Sequence, residues 1–217
     1  MPSVDKSRSV IDELQDKHPE GQTACAEAIV GPQMISIDTH SMLFDQITGE
    51  SIRAAALRCQ GSAGPSGLDA HAWKRICTAF KGASGNICEA LALFSRRLAC
   101  RYVDPEGLSA FTACRLLALD KCPGVRPIGV GEVVRRIVGK AILTVVKQDI
   151  ETVAGNIQLC AGQKAGAEAA IHAMRFMFND SDAEAVLLID ASNAFNRLNR
   201  QVALRNVLAL CPSIATV

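Results

Sequence analysis

An acidic residue at the end of an apolar run is the first feature with a chemical consequence. Val186-Leu187-Leu188-Ile189 is long enough for a buried strand and ends on Asp190. A carboxylate at the mouth of such a strand needs a reason, because burying it without a partner is costly. Taken singly, Asp190 can be a cap for the following helix, and Phe195, five residues on, ordinary core. Basic side chains form several local groups. Lys74, Arg75, Arg96, Arg97 and Arg101 lie on two helical stretches, Arg135, Arg136 and Lys140 on a third, and Arg197, Arg200 and Arg205 near a fourth. Such groups can track phosphates with salt-sensitive affinity, although a charged helix face is more often simply solvated. With 23 basic and 22 acidic residues the formal net charge is +1, so affinity for nucleic acid has to come from patches rather than bulk charge.

Two other chemistries are disfavoured by spacing. The nine cysteines are scattered, odd in number and without a C-x-x-C pair, which argues against zinc and against a disulfide framework. Most fall in apolar helical patterns, where a free thiol behaves as a small hydrophobe, and this fits a reducing cytoplasm or nucleus. Gly129-Val130-Gly131 before a helix, with Asp149 and Glu151 downstream, superficially matches a dinucleotide-binding fingerprint. Val134 stands where the third glycine belongs, and Pro127 is unwelcome in a central parallel strand.

The elements that must position these residues follow from periodicity. With 217 residues, about half of them apolar, the chain can bury a real core. Residues 1–60 read as a polar extension, partly disordered, with one short helix over Ser51 to Cys59, and the Gly/Ser/Pro cluster from Gly61 to Gly67 reads as the boundary. Trp73, Ile76, Cys77 and Phe80, then Ile87, Ala90, Leu91, Phe94 and Leu98, predict two amphipathic helices. Leu116 to Leu119 and Val125 to Val130, separated by a turn at Pro123-Gly124, predict a β-hairpin whose second strand lies at an edge because of Pro127. Val134, Ile137, Val138, Ala141, Ile142 and Val145 mark a long helix ended by Gly155. A further helix over Glu168 to Phe178 turns Ile171, Met174 and Phe178 inward and ends in a turn at Asn179 to Asp182. A last helix, capped by Asn199 and stopped by Pro212, buries Leu204, Val207, Leu208 and Cys211. No apolar run approaches membrane-spanning length.

Asp190-Ala191-Ser192-Asn193-Ala194-Phe195 directly after an apolar strand resembles the first palm motif of reverse transcriptases, Asp-x-x-x-Ala-Phe. Val125-Arg126-Pro127-Ile128 is similar to that family's fingers strand, and Gln158 to Gly162, leading into Glu168-Ala169-Ala170-Ile171, resembles the segment before the palm strand, with Cys160, Ala161 and Gly162 departing from the usual pattern. Gly64-Pro65-Ser66-Gly67-Leu68-Asp69 looks like the start of polymerase domains of non-LTR retroelements, and is also simply a turn and a helix start. The resemblance runs from about Leu116 to Arg205 and weakly from Gly61.

What the resemblance implies is a magnesium-dependent RNA-directed DNA polymerase acting on an RNA template, a DNA primer and deoxynucleotides. Two ions roughly 3.5–4 Å apart would be held by carboxylates. Asp190 would be a catalytic metal ligand and the Ala191 carbonyl a second oxygen donor. Arg126, with Lys121 across the turn, would grip the triphosphate, and Phe195 would exclude a ribose 2′-hydroxyl. The implied architecture is α+β and helix-rich, the fingers and partial palm of a right-hand polymerase: a fingers-like region with one hairpin over 61–183 and the start of the palm over 184–217. The family's Tyr-x-Asp-Asp hairpin is absent, since no Asp-Asp occurs in the chain. The expectation is therefore a truncated chain, inactive alone, that self-associates through an incomplete palm sheet. The alternative is a non-enzymatic nucleic-acid-binding module or a folded remnant.

Overall fold

The computed structural model describes residues 9–22, 41–121, 124–155, 158–159, 164–179 and 185–214. In chain order these form α1 (Val10–Asp16), α2 (Ser41–Phe44), α3 (Gly49–Leu57), α4 (Ala70–Thr78), α5 (Gly82–Cys100), a 3-10 turn (Pro105–Leu108), α6 (Ser109–Thr112), β1 (Cys114–Asp120), β2 (Val125–Gly131), α7 (Val133–Ala154), α8 (Gly166–Phe178), α9 (Ala194–Arg197), α10 (Arg200–Leu210) and a closing 3-10 turn (Pro212–Ile214). The fold is helix-rich with one small antiparallel sheet.

The helix starts are written locally. Thr48 and Ser51 form a reciprocal cap at α3, the Asp69 carboxylate accepts the Ala72 N–H at 2.8 Å to open α4, and the Asn199 side-chain oxygen accepts the Val202 N–H at 3.1 Å to open α10. The joint between α4 and α5 is tied by Ser84, whose buried hydroxyl donates to the Ile76 carbonyl at 2.7 Å and accepts from the Phe80 N–H at 2.9 Å. Gly155, at φ +61°, ends α7 in a conformation that side chains resist.

One core gathers α2, α3, α4, α5 and α7. Its large members are Phe44, Ile47, Ile52, Ile137, Val138 and Val146, and between them Ala55, Ala56, Ala92, Ala99 and Ala141 let the helices approach closely. The core therefore begins at Phe44. The boundary read at Gly61 does not separate an extension from a domain, because Phe44 to Cys59 supply part of the same apolar cluster. A Gly- and Pro-rich stretch signals a turn, and here the turn lies inside one packed unit.

The hairpin forms with Asp120 opposite Val125 and Cys114 opposite Gly131, closed by the Lys121 N–H donating to the Gly124 carbonyl at 2.9 Å. Pro127 faces Ala118 in a two-stranded sheet, where every strand is an edge. An antiparallel β2 also removes the dinucleotide reading, which needs a parallel strand leading into α7.

Two expectations fail in the last third. Val186 to Ile189 were expected as a buried strand, but they run without a ladder partner among the described residues, and Leu187, Leu188 and Ile189 are each more than four-fifths exposed. A strand exists only by pairing, and β1 and β2 pair with each other. Helix α8 forms where expected, but Ile171, Met174 and Phe178 are exposed, since no described element packs over that stripe. Leu204 is likewise exposed, while Cys211 is buried. Asp180 to Asp182, and Cys160 to Gly162, lie outside the described residues.

Candidate active site

The loop from Gly61 to Gly67 is latched to the start of α7, immediately after β2. Buried Glu132 accepts the Ser66 N–H at 2.6 Å through one carboxylate oxygen and the Ser66 hydroxyl at 2.7 Å through the other. Arg136 donates to the Gln60 carbonyl at 2.8 Å and to the Ser62 carbonyl at 2.5 Å. Gly64 is held so close that a Cβ there would lie 2.8 Å from the Glu132 backbone nitrogen. The latch fixes the root of the hairpin that carries Arg126 and Lys121. It also engages Arg136 in structure, as Arg96 is engaged by the Ile47 carbonyl at 2.6 Å. Two arginines that the sequence offered as phosphate contacts thus hold backbone instead, whereas Arg97, Arg101 and Arg135 stay exposed.

Cross-strand register decides which hairpin side chains share a face. Arg126 opposes Leu119, Ile128 opposes Leu117 and Val130 opposes Arg115, so these six lie together, with an arginine at each end. Arg126 and Lys121 are both exposed and bracket the same turn. Arg115 was not singled out from the sequence. Strand parity could have found it, since it sits four residues from Leu119 on one strand.

Asp190, Ala191 and Phe195 lie on one segment, all exposed, Phe195 to 94%. Among the described residues Asp190 caps no helix: the N-cap of α9 is Asn193, at φ +53°. Among the described residues no hydrogen bond or ion pair joins Asp190 to Arg126 or Lys121. The hairpin and the Asp190 segment are related instead through residues 9–22. The Glu13 carboxylate on α1 accepts the Val125 N–H at 3.1 Å, the Asn193 amide donates to the Lys17 carbonyl at 2.8 Å, and the Asn199 amide donates to the Gln22 carbonyl at 2.8 Å. Nothing in the polar first segment pointed to this, because single hydrogen bonds between distant segments leave no periodic trace.

The donor set does not suit two magnesium ions. Among the described residues there is no group of three or more His, Cys, Asp or Glu side chains able to hold a metal, and one carboxylate beside one backbone carbonyl cannot hold a pair of divalent cations. No described helix is long and apolar enough to cross a membrane. No family model, no curated protein and no solved structure matches this chain.

Proposed function

We propose that this chain carries the fingers and the first palm segment of a reverse transcriptase of the non-LTR type. Arg126 and Lys121 would receive a nucleotide's triphosphate, with Asp190, Ala191 and Phe195 supplied by a second segment. The observation that supports this reading most is the Asp-x-x-x-Ala-Phe stretch itself, for which neither ordinary role is seen among the described residues: Asp190 is not the cap of α9, and Phe195 is not core. The hairpin adds support, since it sets a guanidinium and an ammonium at one turn, donors suited to phosphate oxygens. Within this reading Asp190 and the Ala191 carbonyl are one part of a magnesium site, and no catalytic step is assigned to the chain alone. Its partners would be an RNA template, a DNA primer and deoxynucleotides.

The expected behaviour is binding without synthesis. The isolated chain extends no primer on an RNA template, while an RNA–DNA duplex shifts in a gel at low salt and is released at moderate salt, because exposed arginines, not net charge, hold the phosphates. Primer extension by the chain alone would overturn the claim of inactivity. Absence of any shift at low salt would leave a folded remnant. A non-enzymatic binding module is favoured if the shift survives both Asp190→Ala and Phe195→Ala and is lost with Arg97→Ala and Arg101→Ala. Those two arginines remain exposed at the end of α5, Arg97 in its last turn and Arg101 just beyond it, far along the chain from the palm-like segment.

A further inference from the structure

The first described segment touches both halves of the proposed nucleotide site through three long-range hydrogen bonds. Helix α1 buries no side chain fully, with Leu14 half-buried. It is a preformed unit nonetheless, since Ser9 and Asp12 cap it reciprocally. From it, Glu13 reaches the first residue of β2, next to Arg126. Beyond its end, the Lys17 and Gln22 carbonyls receive Asn193 and Asn199, which flank α9 on either side and so hold the short helix bearing Phe195 at both ends. The hairpin turn accommodates the carboxylate because residue 124 is glycine: it adopts φ +85°, and its Cβ position lies 3.0 Å from the Glu13 oxygen.

We infer that residues 9–22 are an autoinhibitory strap, in which the Glu13 carboxylate occupies the anion-binding end of the hairpin and must leave before a polyphosphate can take the Val125 amide beside Arg126. This rests on the nucleotide reading of the hairpin. The physical argument is one of substitution. A backbone N–H, a guanidinium and an ammonium at one turn are donors that favour an anion, and the carboxylate already present satisfies the first of them while adding a negative charge that repels a second anion. The strap's other contacts, from Asn193 and Asn199 to the Lys17 and Gln22 carbonyls, are separate from Glu13.

The test uses the full chain and inorganic tripolyphosphate, with amide hydrogen exchange read at Val125 and affinity read by calorimetry. In Glu13→Ala, exchange at Val125 should speed up and tripolyphosphate should bind tighter, by roughly fivefold for loss of one exposed like charge. Glu13→Gln retains an acceptor, so Val125 should stay protected while affinity still rises. Arg126→Ala should abolish the gain in either background. Unchanged exchange at Val125 in Glu13→Ala overturns the strap contact. Faster exchange with unchanged affinity overturns the competition. Faster exchange with no tripolyphosphate binding to any variant overturns the hairpin's assignment to phosphate, and the autoinhibition with it, while the tether itself stands.

Discussion

Glu132 holds a buried carboxylate whose two oxygens are both used by Ser66, and Gly64 lies against its backbone. The two positions predict different costs. Gly64→Ala places a methyl group 2.8 Å from backbone atoms that cannot swing aside, and overpacking of this kind costs about 1–3 kcal/mol. Glu132→Ala removes two charge-assisted acceptors, but Ser66 is exposed and water can replace them, so the loss should lie near the lower end, about 1 kcal/mol. Urea unfolding midpoints of the two variants check the order. Cys77 makes a separate prediction. Its burial, with the Cys88 thiol beside it, pushes Cys77 from 9.0 up to about 12. The unfolded chain therefore loses this proton first, and the stabilising effect is complete below pH 9 and declines as pH rises toward 12. Unfolding midpoints taken at pH 8 and at pH 10 should fall between the two values, and fall less in Cys77→Ala. These residue-scale features were invisible in the sequence because both the latch and the thiol pair join positions whose neighbours in the chain carry no hint of each other.

At the scale of elements, local chemistry was highly legible. The long helix α7, the hairpin around Gly124, the stop at Gly155 and the Asn199 cap appear where side-chain pattern and backbone preference place them, since each depends on residues within a few positions. By contrast, α4 ends at Thr78 with Phe80 beyond it and exposed, and α5 buries Ser84, Cys88, Ala92, Ser95 and Ala99, leaving Leu91, Phe94 and Leu98 of the expected face half-buried and Ala90 exposed. What did not follow is burial in the last third. The stripe of α8 and the run Val186 to Ile189 have the pattern of core elements, yet the described residues offer them no covering layer. Pattern fixes which face wants to be buried and is silent on what buries it. Exposed apolar surface of this kind drives association. The chain should therefore sediment as concentration-dependent oligomers, and the double variant Leu187→Ser with Leu188→Ser should shift it toward monomer with no loss of helicity. Monomer at all concentrations in the unaltered chain would contradict this.

At the scale of the molecule, the described residues form one helical core that carries a latched hairpin and the exposed segment of Asp190 to Phe195, with residues 9–22 linking the two. The composition allowed the core, but the Gly61 boundary concealed that Phe44 to Cys59 belong to it, because a turn within a domain and a linker between domains use the same residues. The candidate residues were named from motifs, Arg126 and Lys121 in one and Asp190 to Phe195 in another, and among the described residues no hydrogen bond or ion pair joins Asp190 to Arg126 or Lys121. The connection of the two segments through Glu13, Asn193 and Asn199 was not legible in the sequence. Whether Arg126 and the Asp190 segment serve one nucleotide is tested most directly by equilibrium binding of a deoxynucleoside triphosphate with magnesium to the full chain, to Arg126→Ala and to Asp190→Ala. Weakening by roughly tenfold in the arginine variant, as expected for loss of a charge-assisted contact, with a smaller loss in the aspartate variant, is the result predicted. Equal affinity in all three proteins, or no binding by any of them, would contradict it.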